Sequence, residues 1–190
     1  QYLKLKTTTN RELSASDETI LEQLLAEVEF QWLERLTSTY GFPTFPTFPG
    51  MKERFVFKMN TFAPDPEYAR AIFDEEFYLL TIAADLMVIL EDDAEPDFLA
   101  EIQETAYNLF NQEGLDVGEG WMFQPGVWSH HEDYIYSGHT ELVPDLEPLI
   151  IEDIGTDSSH FHRMPLWIRS LRDSYNSNDQ EYAYYEDVLQ

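Results

Sequence analysis

Cysteine is absent from the 190-residue chain, which excludes disulfides, thiolate metal ligands and thiol nucleophiles. Redox compartment therefore cannot be read from cysteine usage. Lysine and arginine are scarce: 11 stand against 37 aspartates and glutamates, a formal net charge of −26. Such a chain has no basic face with which to displace counterions, so nucleic acid is excluded as a partner. Anionic membrane surfaces repel it for the same reason. Long apolar runs are missing too. The longest, Phe77 to Leu90, has 14 residues and contains Asp85, too short and too charged for a transmembrane segment. No Asn-x-Ser/Thr sequon occurs. The chain opens on Gln1 rather than Met, which implies processing or trimming, and a secreted or periplasmic setting is expected ahead of a cytoplasmic one.

A second absence is local. From Ala71 to His162, 92 residues, there is no Lys or Arg, while the same span holds 22 of the 37 acids and all five histidines. Carboxylates without cations raise one another's pKa and attract metal ions or cationic ligands. If most of them face water, the same pattern is a solvated acidic surface of the kind suited to high salt.

What is present is enough for a core. Apolar residues make up 43% and aromatics 15%, which predicts one globular domain over 1–190 rather than a disordered chain. The expected fold is mainly α, built of antiparallel helical hairpins with one long loop. Residues 1–15 read as a loose arm. Ser16-Asp17-Glu18 opens a helix over 17–40, with Leu21, Leu24, Leu25, Val28, Trp32, Leu33 and Leu36 recurring at steps of three and four. Phe42-Pro43-Thr44-Phe45-Pro46-Thr47-Phe48-Pro49 is a three-residue repeat that favours polyproline II. It reads either as an aromatic ledge or as a connector closing the core. Met51 to Lys58 reads as a short strand, in which Arg54 to Lys58 alternates. Asp65-Pro66-Glu67 opens a helix over 66–91 that is apolar nearly all round, a central helix carrying Asp85. Residues 91–97 form an acidic turn, followed by a helix over 96–112. Helices over 160–175 and 179–190 follow, the last with Asn178 and Glu181 spaced as a capping box. It has no stop signal before Gln190, so further chain or subunits that complete the fold are expected.

Residues 114–157 show no helical pattern, and loops this long in a compact domain tend to carry function. This one holds Trp121, Trp128, Tyr134, Tyr136, His130, His131 and His139 among glycines. It leads into Asp157-Ser158-Ser159-His160-Phe161-His162-Arg163. Imidazoles flanked by Glu132, Asp133, Asp153 and Asp157 have the chemistry of general acids and bases, or of ligands for a divalent metal. His130, His131, His139 and His162 are the candidate ligands, for Zn²⁺ or Ca²⁺, although no H-E-x-x-H or EF-hand spacing is present. Asp157, His160 and Asp153 are the catalytic candidates. Ser158 and Ser159 lack a nucleophile elbow and read as helix caps. Arg163 could pair with Asp157 or Asp153, or hold an anionic group.

Helical hairpins, an aromatic-rich loop and carboxylates near helix starts together resemble the (α/α)-toroid enzymes that act on polysaccharides. The chain has fewer helices than a full toroid, so the likeness is to part of one. It implies an oligo- or polysaccharide substrate processed by a hydrolase or lyase. Trp121, Trp128, Tyr134, Tyr136 and Arg163 would then hold the sugar. The other expectation is a non-catalytic acidic interaction or inhibitor protein with a basic protein partner.

Overall fold

Phe73 to Leu90 organises the molecule, and its start is set by one carboxylate. The helix α4 (Asp74–Leu90) begins where Glu76 reaches back to accept the backbone N–H of Phe73 at 2.7 Å. That is one half of a capping box. The computed structural model describes residues 2–39, 46–60, 67–90, 96–118, 120–134, 136, 138–141, 143–147, 149, 154–155 and 158–190, without the side chains of Glu67, Asp133, Ser158 and His160. The Phe42–Phe45 part of the proline repeat, the Asp65-Pro66 helix opening and the acidic turn at 91–95 lie outside these residues.

The fold is mainly α. In order come α1 (Tyr2–Thr8), α2 (Ala15–Leu33), β1 (Leu36–Ser38), β2 (Thr47–Pro49) and α3 (Gly50–Asn60). After α4 follow α5 (Asp97–Glu113), β3 (Gly114–Asp116), β4 (Trp121–Phe123), α6 (Ser158–Phe161), α7 (Met164–Asp173) and α8 (Gln180–Val188), with 3-10 turns at Glu67–Arg70 and Glu132–Tyr134. Both strand pairs are two-stranded and antiparallel. α4 packs against α1, α2, α5 and α7, and α8 closes on α7. Phe77 sits at the centre, fully buried, stacked on Trp167 at 4.9 Å and edge-on to Phe110, Phe123 and Phe161.

Several expectations need correction. The arm contains a helix, α1, because Leu3 is buried and two lysines anchor it. Lys4 lies 2.9 Å from Asp85 and 3.2 Å from Asp173, and Lys6 lies 2.6 Å from Asp17. Asp85, the carboxylate inside the apolar helix, is thus an anchor for residues 81 positions away. α2 starts earlier than expected, capped by Ser14 with Asp17 completing the box, and ends at Leu33. It ends there because the chain turns into β1. The strand expected over 51–58 is helical: beyond Gly50, the buried positions of α3 are Met51, Arg54, Phe55 and Lys58, at helical steps. Two cations occupy that inner face, which hid the period from a purely apolar reading. The central helix starts at Asp74 rather than 66, after the 3-10 turn. Loop 114–157 opens with a hairpin pairing Gly114 with Phe123 and Asp116 with Trp121. The predicted helix over 160–175 is broken between Phe161 and Met164. α8 is capped at Asp179 without a side-chain hydrogen bond, so the capping box from Asn178 does not form.

Candidate functional site

α3 and α4 bring three charges together in the interior. Glu76 is fully buried, and its carboxylate lies 2.7 Å from Lys58 Nζ and 3.0 Å from Arg54 Nε. Lys58 also donates to the Ala71 carbonyl at 2.5 Å, and its Nζ stands 4.4 Å from the Phe73 ring centre. Arg54 reaches outward to Glu75 at 2.5 Å and donates to Thr37 Oγ1 at 2.8 Å. Burial pushes the Lys58 ammonium down to about 8, against the pull of Glu76. Lys58 is fully buried, and its ammonium meets a carboxylate, a carbonyl and a ring. Its arrangement is that of an internal clamp between two helices.

Phe73 links this clamp to the predicted loop. Its ring meets Trp128 edge-on at 5.5 Å. Trp128, His131 and Tyr134 do converge, with Tyr68 completing the group: His131 lies 4.7 Å from Tyr68, 5.4 Å from Trp128 and 6.1 Å from Tyr134. Trp128 and His131 are each only 8% exposed. Trp128 therefore packs the loop onto residues 68–73 and offers little open ring to a sugar. Gln124, buried and left-handed with φ 47°, fixes the near end of this loop. Its side chain accepts from Ile72 N at 2.9 Å and donates to Arg70 O at 3.2 Å and Glu113 Oε2 at 2.9 Å. Nothing in the hydrophobic pattern marks Gln124, and it was missed.

The other site candidates among the described residues are dispersed. Trp121 belongs to another aromatic group, stacked on Phe110 at 5.6 Å beside Phe123. Tyr136 is exposed. His130 Nδ1 lies 3.0 Å from Ser129 Oγ, His139 Nε2 lies 2.7 Å from the Glu147 carbonyl, and His162 Nδ1 lies 2.9 Å from the Ser159 carbonyl. Arg163 stands over the Tyr78 ring at 5.8 Å. Asp153, Asp157 and the His160 side chain lie outside the described residues. Among the described residues no group of three or more His, Asp or Glu side chains is arranged to hold a metal, and none of their helices is long and apolar enough to cross a membrane.

A groove of about 390 Å³ runs between α3 and α5. Val56 and Met59 line it above Trp32 and Phe55, and Glu101 and Glu104 stand among its polar lining. Glu101 accepts from Lys52 at 2.8 Å and from the Trp32 indole at 3.2 Å, which holds its carboxyl below the usual range.

The distribution of charge is the broader finding. At least seven of the eleven cations, Lys4, Lys6, Lys52, Arg54, Lys58, Arg70 and Arg172, are paired with carboxylates of the same chain. Of these, Lys4, Lys6, Arg54, Lys58 and Arg70 have side chains less than one-fifth exposed. Exposed carboxylates meanwhile crowd α2, with Glu18, Glu22, Glu27 and Glu29 all facing water. Most of the paired cations are thus turned towards the interior, each on a carboxylate of the same chain, while many further carboxylates face water.

A tyrosine group under α8 gives the fold an alkaline limit. Burial raises Tyr175 and Tyr185 far above the usual value and pushes Tyr184 up to about 12. Unfolded tyrosines lose their protons near 10, so the stability these groups contribute is complete below that pH and falls as pH rises towards 12. Lys58 acts oppositely. Its folded-state value lies below the unfolded one, so its burial penalty lifts between pH 8 and about 10.5. The melting temperature should therefore hold or rise from pH 8 to about 10 and drop steeply above it. A scanning-calorimetry series that falls steadily from pH 8 would contradict this.

No family model, curated protein or solved structure matches the chain. The toroid resemblance thus carries no residue assignment with it.

Proposed function

We propose that the protein is a non-catalytic acidic binding protein whose partner is a basic protein. The observation that carries this reading is the inward use of cations. Lys58 and Arg54 neutralise Glu76 inside, and Lys4 neutralises Asp85 and Asp173, so the basic residues most able to soften the surface field are spent on the core. The outward carboxylates of α2 and α5 then act together on an approaching cation, over the 8–10 Å that physiological salt allows. Such a field speeds encounter and rejects anionic competitors. The glycan-processing alternative would rest on Asp153, Asp157 and His160 for proton transfer, and on loop rings of which Trp128 is packed away.

Calorimetric titration at about 0.15 M salt separates the two. A short oligolysine should bind saturably, and neutral oligosaccharides should give no heat. Saturable oligosaccharide binding with no uptake of oligolysine would reverse the reading.

A further inference from the structure

α2 buries one apolar face, and its opposite face carries exposed apolar residues towards its C-terminal end. Val28 and Trp32 are buried, with Leu21, Leu24 and Leu25 packed beside them. On the opposite side Thr19, Gln23, Ala26, Phe30 and Leu33 follow at steps of four, three, four and three, and all are exposed. The spacing is the a/d rhythm of a two-stranded helical seam, polar at Thr19 and Gln23 and apolar at Ala26, Phe30 and Leu33. Phe30 is 44% exposed and Leu33 39%, at the seam's C-terminal end. The positions bordering this seam on one side are Glu22 and Glu29. Those on the other are Ile20, Glu27 and Glu34, with Ile20 also exposed.

From Ala15 to Leu33 the helix carries no Lys or Arg, and among the described residues none of these four glutamates is in an ion pair. Border positions of a helical seam choose the partner through charge. Four glutamates there repel a second copy of α2, which would set carboxylate against carboxylate in either orientation. They repel an anionic bilayer as well. A helix with Lys or Arg at its own border positions meets four acids that are in no ion pair among the described residues, beside exposed Phe30 and Leu33.

We propose that the outer face of α2 is the docking surface, and that its occupant is a single basic amphipathic helix of the partner. This rests on the acidic-binding reading above and narrows it to one helix and one recognition mode. Phe30 and Leu33 supply the apolar anchor, and Glu22, Glu27, Glu29 and Glu34 set the sign of the partner.

The test uses a labelled peptide of about three heptads with Leu at a and d and Lys at e and g. Its companions are a scrambled peptide of the same composition and a counterpart with Glu at e and g. Fluorescence anisotropy with the full chain should show the Lys peptide binding more than tenfold tighter than the scramble. Reversing the border (Glu22→Lys, Glu27→Lys, Glu29→Lys and Glu34→Lys together) should cost the Lys peptide more than tenfold and create binding to the Glu peptide. Phe30→Ser with Leu33→Ser should weaken the Lys peptide more than tenfold at unchanged helical circular dichroism. Three outcomes would overturn the docking surface alone, leaving oligolysine binding intact: an unchanged affinity in the reversed variant, equal affinity for the scramble, or a wild-type dimer that Phe30→Ser with Leu33→Ser dissolves. Failure of both oligolysine and the Lys peptide to bind would overturn the acidic-binding reading itself.

Discussion

Replacing Glu76 by glutamine is expected to destabilise the fold by about 3–5 kcal/mol, the usual cost of removing one partner from a buried ion pair. Glutamine keeps the shape and can still accept the Phe73 N–H that the carboxylate holds at 2.7 Å. It cannot balance two cations. Lys58 is fully buried and Arg54 nearly so, and among the described residues Glu75 would remain as the one carboxylate paired with Arg54. The loss should appear in urea unfolding as a lower midpoint with an unchanged slope. It should also shrink as pH rises towards about 8, because without Glu76 the buried Lys58 ammonium sheds its proton earlier than in the wild type and relieves the imbalance. A loss below about 1 kcal/mol, constant with pH, would mean that the clamp behaves like an exposed pair.

Gly50→Ala is the second large effect. Gly50 adopts φ +83° where β2 turns into α3. A side chain in this left-handed region costs on the order of 1–2 kcal/mol before any contact is considered. Here a Cβ would also collide with the Trp32 carbonyl, and would come within 2.6 Å of the Leu33 carbonyl carbon. Both neighbours are backbone, so neither can rotate aside. The end of α2 and the start of α3 would have to separate, opening the contact in which Trp32 meets Phe55 at 5.9 Å. Thermal unfolding of Gly50→Ala should fall by about 6–12 degrees if the total reaches about 3 kcal/mol, by the scaling for a domain of this size. A variant that melts with the wild type would show that the turn can be rebuilt without glycine.

Elements written in apolar periodicity were legible in the sequence. The helix predicted over 96–112 is Asp97–Glu113, with Phe98, Leu99, Ile102, Ala106, Leu109 and Phe110 buried as the spacing required. α3 was misread because its inner face holds Arg54 and Lys58, and a pattern scored on apolar residues cannot see a charge that is buried beside its counter-ion. Asp85 was legible as a carboxylate needing a partner, but not as the anchor of Lys4, since ion pairs so distant in sequence follow from tertiary packing. The loop was legible as a place where rings and imidazoles gather. Trp128, His131 and Tyr134 do meet. That Trp128 fills the space against Phe73 depends on the path of the chain, which residue types do not encode. The four glutamates bordering the outer face of α2 were visible as letters throughout. They became the border of a surface only once Phe30 and Leu33, the latter counted with the apolar stripe in the sequence, proved to be exposed.

The central claim is that uncompensated surface carboxylates, rather than a pocket, capture the partner. It is tested most directly by the salt dependence of oligolysine binding, followed from low salt to well above physiological ionic strength. The account predicts an association constant that falls steeply and continuously as the Debye length contracts from about 30 Å at 0.01 M to about 8 Å at 0.15 M. An association constant that stays level across that range would contradict it.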